Sequence, residues 1–250
     1  MRLTVIGCAG SYPNAESPAS CYLVEHDGHR ILLDLGNGSF GVLQRHLDLT
    51  WPGALDAVIL SHCHIDHCAD LGSLYVQRQY APVRATEPLL VLGPSDARAR
   101  AVAMYGKSDE AGLDSQFDFR TFPRGPLEVG PFTIEAVRAA HPVESFCIRV
   151  TAGGRSLVYS GDTGPTPNLV ELARGADLAL FEASFVGDDN PSGVHLTGAD
   201  AGRIATEAGV GMLVLTHLVA WNDDEQVATE ARAHFAGPLE LARSGMTISV

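Results

Sequence analysis

Residues 61–68 read Ser-His-Cys-His-Ile-Asp-His-Cys and follow directly on the apolar run "AVIL". So many metal-type side chains at the end of a buried strand admit two structures: a closed zinc knot held by thiolates, or the open half of a hydrolytic metal site. If the strand runs on in extended form, alternate side chains share a side. His62, His64 and Asp66 then face one way, Cys63 and Ile65 the other, and His67 follows as the chain turns into a helix. That arrangement separates the thiol at 63 from the imidazoles. A thiolate knot also calls for CxxC-type pairs, whereas Cys63 and Cys68 are spaced C-x4-C and no second pair exists. The open site is the better reading.

The rest of the composition agrees. The five cysteines (Cys8, Cys21, Cys63, Cys68 and Cys147) are odd in number and scattered, which is no disulfide framework, so reduced thiols and a cytoplasmic location are expected. A chain of 250 residues with 46% hydrophobic content can fill a sizeable core without staples. No low-complexity stretch or polar linker divides it, and one domain over residues 1–250 is expected; "SYPNAESPAS" and "GDDNPSG" read as functional loops within it. The opening "MRLTVIGCAG" is too short an apolar stretch for a signal peptide, and no run approaches a membrane span. The formal charge is -13 and no Lys/Arg cluster occurs, which disfavours a long nucleic-acid partner. A smaller anionic substrate remains compatible, because bound metals attract it locally.

Short apolar or alternating runs predict strands at "RLTVIG", "CYLVE", "RILLDL", "AVILS", "LLVLG", "FTIEAVRA", "SFCIRVTA", "RSLVYSG", "DLALFEA" and "MLVLTH". Helices are expected over 68–80, 95–104, 167–174, 198–208 and 223–235, each opening near a capping residue or proline. Thr197, with Asp200 three residues on, reads as an N-cap with a capping-box partner. Each half supplies strands before its helices, which predicts an α/β fold of two sheets with helices outside.

The pattern H-x-H-x-D-H at His62, His64, Asp66 and His67 resembles the signature of the metallo-β-lactamase superfamily. Further matches follow in order: His141 in "RAAHPVESF", Asp162 in "YSGDTG" and His217 in "LVLTHL". The resemblance implies an αββα four-layer sandwich with a dinuclear metal site at one edge. It implies that His62, His64 and His141 hold one divalent ion and Asp66, His67 and His217 the other, with Asp162 bridging. This donor set suits Zn²⁺, with Mn²⁺ or Fe²⁺ as alternatives. Two such ions about 3.5–4 Å apart share a water and lower its pKa, supplying a bridging hydroxide near neutral pH. Aspartate at 162, where the superfamily's lactamases carry cysteine, leans away from β-lactam hydrolysis.

Glu182 in "LALFEASF" and His195 in "VHLTGADAG" resemble the Glu and His pair of the phosphodiesterase branch, which includes the tRNA 3'-processing endonucleases. In that branch the histidine is placed to protonate the leaving oxygen. Asp66, Glu182 and His195 are therefore expected to carry the catalytic step, and Ser145, four residues after His141, to line the site. The endonucleases bear a long basic arm; residues 89–120 here read as helix and acidic loop with a single lysine. "GCAGSYPNAESPASCYLV", "GPSDARAR", "AHPVESF" and "LVELARGADLALFEASF" look like the actinobacterial class of 3',5'-cyclic-nucleotide phosphodiesterases, which implies hydrolysis of cyclic AMP to 5'-AMP and a possible homodimer. The alternatives are a nuclease without its arm and a lactone or thioester hydrolase on the same metals; a non-enzymatic module should have lost ligands that this chain keeps. Glycines in "GCAGS" and "SGDTG" serve either a phosphate or tight turns. Cys8, Cys21 and Cys147 read as core residues, and His26, His29, His46 and His234 as surface or satisfied polar groups.

Overall fold

A computed structural model describes residues 1–50, 53–83, 85–106, 110–187 and 193–250. Most of the "GDDNPSG" loop and the middle of "GKSDE" lie outside the described residues. In the first half, β1 (Arg2–Gly7), β2 (Cys21–His26) and β3 (His29–Leu33) precede α1 (Ser39–Leu43). Then come β4 (Ala57–Ile59), α2 (Ile65–Cys68), α3 (Leu71–Tyr80), β5 (Leu89–Gly93), α4 (Ala97–Tyr105), α5 (Glu110–Gln116) and β6 (Phe117–Thr121). The second half begins with β7 (Leu127–Val129), β8 (Phe132–Arg138), β9 (Phe146–Ala152), β10 (Arg155–Tyr159) and α6 (Pro167–Ala173). It continues with β11 (Leu178–Glu182), α7 (Gly198–Ala208), β12 (Met212–Thr216), α8 (Asp224–Arg232), β13 (Leu239–Leu241) and β14 (Thr247–Ser249).

Among the described residues two sheets of seven strands result, ordered β14-β1-β2-β3-β4-β5-β6 and β13-β12-β11-β10-β9-β8-β7. Their stacking follows from the period-2 pattern of each run. Ile31 and Leu33 of β3 enter the core between the sheets, where they meet Ile148, Val150 and Tyr159, while Leu32 joins the opposite face with Leu74 and Tyr75 of α3. In β11, Leu178 and Leu180 point inward, and Ala179 and Phe181 pack under Leu169, Ala201 and Ala205 of α6 and α7. Strands buried on both faces must be apolar throughout, which is why "RILL" and "LALF" show no polar alternation. The four layers are helices, sheet, sheet, helices, as expected.

From β3 to β6 and from β10 to β13 neighbouring strands run parallel, so each connection crosses over through a helix. Parallel strands deliver their carboxyl ends to one edge, where ligands of such sheets gather. Thr166 caps α6 ahead of Pro167, and Thr197 with Asp200 forms a capping box on α7, as the sequence predicts. Among the described residues no helix is long and apolar enough to cross a membrane.

Candidate metal centre

Every sequence-predicted site residue lies at that common edge. His62 and His64 leave the end of β4, His141 follows β8, Asp162 follows β10, Glu182 ends β11 and His217 follows β12. Asp66 and His67 sit on the single turn of α2, so the extended reading holds for His62 and His64 but not for Asp66. A helical turn brings adjacent residues 66 and 67 to the same cavity, which an extended chain would not do.

Two groups of donors converge. His62 Nε2 lies 3.0 Å from His64 Nδ1, which lies 3.3 Å from His141 Nε2, and Asp162 Oδ2 stands 3.7 Å from His62 Nε2. Beside them, His217 Nε2 lies 3.1 Å from Asp66 Oδ2 and 3.3 Å from His67 Nε2. Asp162 Oδ1 faces this second group, 3.2 Å from His67 Nε2 and 3.4 Å from His217 Nε2. Within each group the ligand atoms lie inside 4.8 Å of one another, and Asp162 belongs to both.

The electrostatics fit a pair of cations. Burial holds His62, His64 and His141 below the ordinary imidazole range, leaving them neutral donors. Burial also disfavours charge on Asp66 and Asp162, yet the neighbouring His217 and His67 outweigh it and keep both carboxyls below their usual range. Burial likewise opposes a proton on His67 and His217, but Asp162 prevails and raises both. Buried carboxylates therefore draw positive charge into the pocket, as protons or as metal ions that displace them. Asp162 Oδ1 is buried without a hydrogen-bond partner, a condition that a bound cation relieves. Imidazole with carboxylate is a donor set for first-row divalent ions.

Glu182 and His195 form the third feature. Glu182 is fully buried and accepts from Thr163 N at 2.7 Å, from Ser184 Oγ at 2.8 Å and from His195 Nδ1 at 2.9 Å. Burial works against protonated His195, but the hydrogen bond and charge of Glu182 prevail and raise its pKa to about 9. Glu182, His195 and His217 also lie close enough together to hold an ion. The hydrogen bonds argue otherwise: Glu182 is engaged by its donors, and His217 gives Nδ1 to Ser184 at 2.7 Å while Nε2 faces Asp66. The dyad is a hydrogen-bonded carboxylate–imidazole pair beside the two donor groups.

The model of the beta-lactamase superfamily domain matches residues 29–218, which include every donor just described. The chain belongs to that superfamily. It is 33% identical over 253 residues to the probable metallo-hydrolase YhfI of Bacillus subtilis, covering 98% of each chain. The crystal structure of that metallo-beta-lactamase fold protein superposes with a TM-score of 0.87 over 99% of this chain and 98% of the other. A Mycobacterium leprae protein is 44% identical, covering 100% of this chain and 89% of its own length. Ribonuclease Z of Myxococcus xanthus is 29% identical over 308 aligned residues, covering 100% of this chain and 98% of that one. This is a metal-dependent hydrolase of the metallo-β-lactamase fold.

Two residues that orient donors are not disclosed by the sequence motifs, Ser184 behind His217 and Asp34 behind His67. Asp34, fully buried at the end of β3, accepts from Ser61 N at 2.6 Å, and from Ser61 Oγ, His67 Nδ1 and Tyr159 Oη at 2.7 Å each. It fixes His67 with Nε2 toward the metal group, the usual service of a carboxylate behind a metal-binding histidine. Its φ is 59°, as His217's is 54°; such left-handed backbone costs about 1–3 kcal/mol and is tolerated where the surroundings enforce it. The signal was present: an aspartate inside the apolar run "RILLDL" is costly to bury unless several donors meet it. Asp34→Asn places an amide NH2 against donors. A 10–100-fold loss of metal affinity is expected, with about 1–3 kcal/mol of stability, read by metal titration and thermal unfolding.

Ser145 is buried and reaches the Asp162 carbonyl at 3.2 Å, bracing the ligand loop without lining an open site. The glycines serve close packing: a Cβ on Gly10 would lie 2.5 Å from the His217 carbonyl, and one on Gly164 1.6 Å from that of Gly193. All five cysteines are free and buried, and among the described residues no metal-type group contains one. Cys63 turns away from the imidazoles, as the alternation requires; contact with Cys68 and burial push its thiol far up. Of the remaining histidines, His29 bonds Asp56 at 2.9 Å and none joins the centre.

Proposed function

We propose that this hydrolase is a dinuclear-metal phosphodiesterase that converts 3',5'-cyclic nucleotides, cyclic AMP foremost, to 5'-nucleotides. His62, His64 and His141 would hold one ion and Asp66, His67 and His217 the other, with Asp162 available to both; zinc suits these donors best, with manganese or iron(II) as alternatives. When bound, such a pair supplies a water of lowered pKa and neutralises phosphoryl charge. The observation that carries the reading is the Glu182–His195 dyad, whose Nδ1 lies 3.9 Å from Asp162 Oδ2. A sugar oxygen is a poor leaving group as an alkoxide, so its departure needs a proton. Glu182 holds the His195 ring through Nδ1, and Nε2 would deliver its proton to O3' as the P–O3' bond breaks and a hydroxide oxygen joins phosphorus, leaving His195 neutral.

The likeness to ribonuclease Z over the whole chain favours one second reading, a tRNA 3'-processing nuclease. Two features speak for the smaller substrate. That alignment needs 308 positions to place the 250 residues here, so the relative carries segments this chain lacks. The charge of -13 also opposes a long polyanion. A cytoplasmic site of action follows if the buried thiols are kept reduced.

Turnover by the purified, metal-loaded protein across cyclic AMP, cyclic GMP, 2',3'-cyclic nucleotides, a bis-aryl phosphate, precursor tRNA and a lactone tests the assignment. Cyclic mononucleotides are expected to turn over. Cleavage of precursor tRNA alone moves the assignment to the nuclease, and activity on the lactone alone removes both.

A further inference from the structure

The metal groups and the dyad account for the phosphoryl end of a substrate and say nothing of the rest of it. Exposed apolar side chains flank the donors along the chain. Tyr12 is 47% exposed, Ile65 61% and Trp221 64%. Ile65 stands between the ligands His64 and Asp66, and Trp221 four residues beyond His217. Tyr12 follows Ser11, whose backbone nitrogen lies 3.4 Å from His217 Nε2.

The Tyr12 and Trp221 rings meet, with centroids 6.0 Å apart and planes tilted by 36°. They come from two loops locked to the centre and to each other. Gly10 N donates to the Leu218 carbonyl at 3.0 Å, and Tyr12 N to that of Gly10 at 2.8 Å. On the other side, Asn222 Nδ2 donates at 2.9 Å to the carbonyl of Ser184, the residue that orients His217. Single exposed aromatics need no explanation. A paired π surface on loops hydrogen-bonded to the His217 segment lies beside the centre that handles the phosphoryl group.

Charge narrows the occupant. The cavity beside these loops is lined by Glu16, Asp224 and Arg243, so acidic groups outnumber the one cation there and disfavour a further phosphate more than a neutral heterocycle. We propose that Tyr12 and Trp221 form a base-stacking platform, so that the substrate is a phosphodiester with one phosphoryl group and a planar nucleobase. This rests on the phosphodiesterase reading and names the recognition element that the metal motifs leave open. Stacking tolerates any base and favours the larger purine face.

The sequence contains two tryptophans, Trp51 and Trp221, so Trp51→Phe leaves Trp221 as the sole indole reporter. Metal-loaded Trp51→Phe protein is titrated with 5'-AMP and with ribose 5-phosphate, which shares the phosphate and lacks the base. Trp221 emission is expected to be quenched by 5'-AMP alone. Calorimetry on the otherwise native protein is expected to show 5'-AMP binding on the order of tenfold tighter than ribose 5-phosphate. In Trp221→Ala that gap closes, in Trp221→Phe it persists, and in Tyr12→Ala it narrows. Equal affinities in the native protein overturn the platform, as does a gap that survives Trp221→Ala. A dimer that dissociates in Trp221→Ala while the gap is unchanged assigns the pair to a subunit contact and also overturns it. If no phosphodiester is turned over but the gap closes as expected, the platform stands and the reaction assignment falls; if cyclic AMP is turned over and the gap persists, the reaction assignment stands and the platform falls.

Discussion

Asp162→Asn will lose a bound ion and, with it, all measurable turnover. Among the described residues Asp162 is the one side chain shared by both donor groups. Its Oδ1 sits 3.2 Å from His67 Nε2 and 3.4 Å from His217 Nε2, while Oδ2 faces His62 Nε2 at 3.7 Å. Asparagine keeps the shape, removes the charge and turns one ligand atom into a donor aimed at the site. The Asp162 Oδ1 is buried without a hydrogen-bond partner, a condition that a bound cation would relieve. The variant should fold, because His67 and His217 can shed the protons that Asp162 draws onto them and remain buried as neutral imidazoles. Metal analysis should find fewer than two ions per chain, and turnover should match the metal-stripped native protein. Native protein should also gain about 2.7 kcal/mol of stability when free metal reaches a hundred times its Kd, a response the variant should lack at the same concentration. Two ions retained at native affinity would refute the shared-ligand assignment.

How much of this is legible in the sequence depends on how local each signal is. Runs buried on both faces, such as "LALFE" and "MLVLT", announce themselves because no polar residue is tolerated within them, and all ten sequence-predicted strands are present. The four strands that the sequence does not disclose, β6, β7, β13 and β14, are the four sheet edges. An edge strand has one neighbour and one open side, so it can be three residues long, like Leu239–Leu241, or charged, like "FDFRT". The site divides the same way. His62, His64, Asp66 and His67 are contiguous and declare themselves, although the turn at Ile65–Cys68 depends on tertiary packing that no local pattern encodes. Asp34 and Ser184 act through other side chains far off in sequence, Asp34 on His67 and Ser184 on His217, and spacing does not reveal that. Tyr12 and Trp221 are ordinary loop residues until the fold brings residue 11 against residue 217.

His195→Ala should keep both ions yet lose 10²–10⁴ of kcat on cyclic AMP, the usual worth of a positioned general acid. The two halves of that result separate acid from ligand. Neither donor group that contains Asp162 includes His195, so metal content should not move. Its Nδ1 proton goes to Glu182, which Thr163 N and Ser184 Oγ hold in turn. Those contacts favour the protonated ring, with a pKa raised to about 9, while dications bound beside Asp162 pull it back down. A group balanced this way can hold a proton at neutral pH and release it to an oxygen that becomes negative. The dependence on leaving group is the sharper discriminator. A p-nitrophenolate departs without assistance, so the same variant should retain activity on bis-p-nitrophenyl phosphate to within about tenfold. A merely structural role for His195 would depress both substrates alike, because a distorted centre attacks every phosphodiester poorly. Equal losses on the two esters would leave Glu182 and His195 as a brace for His217 and require another donor for the sugar oxygen.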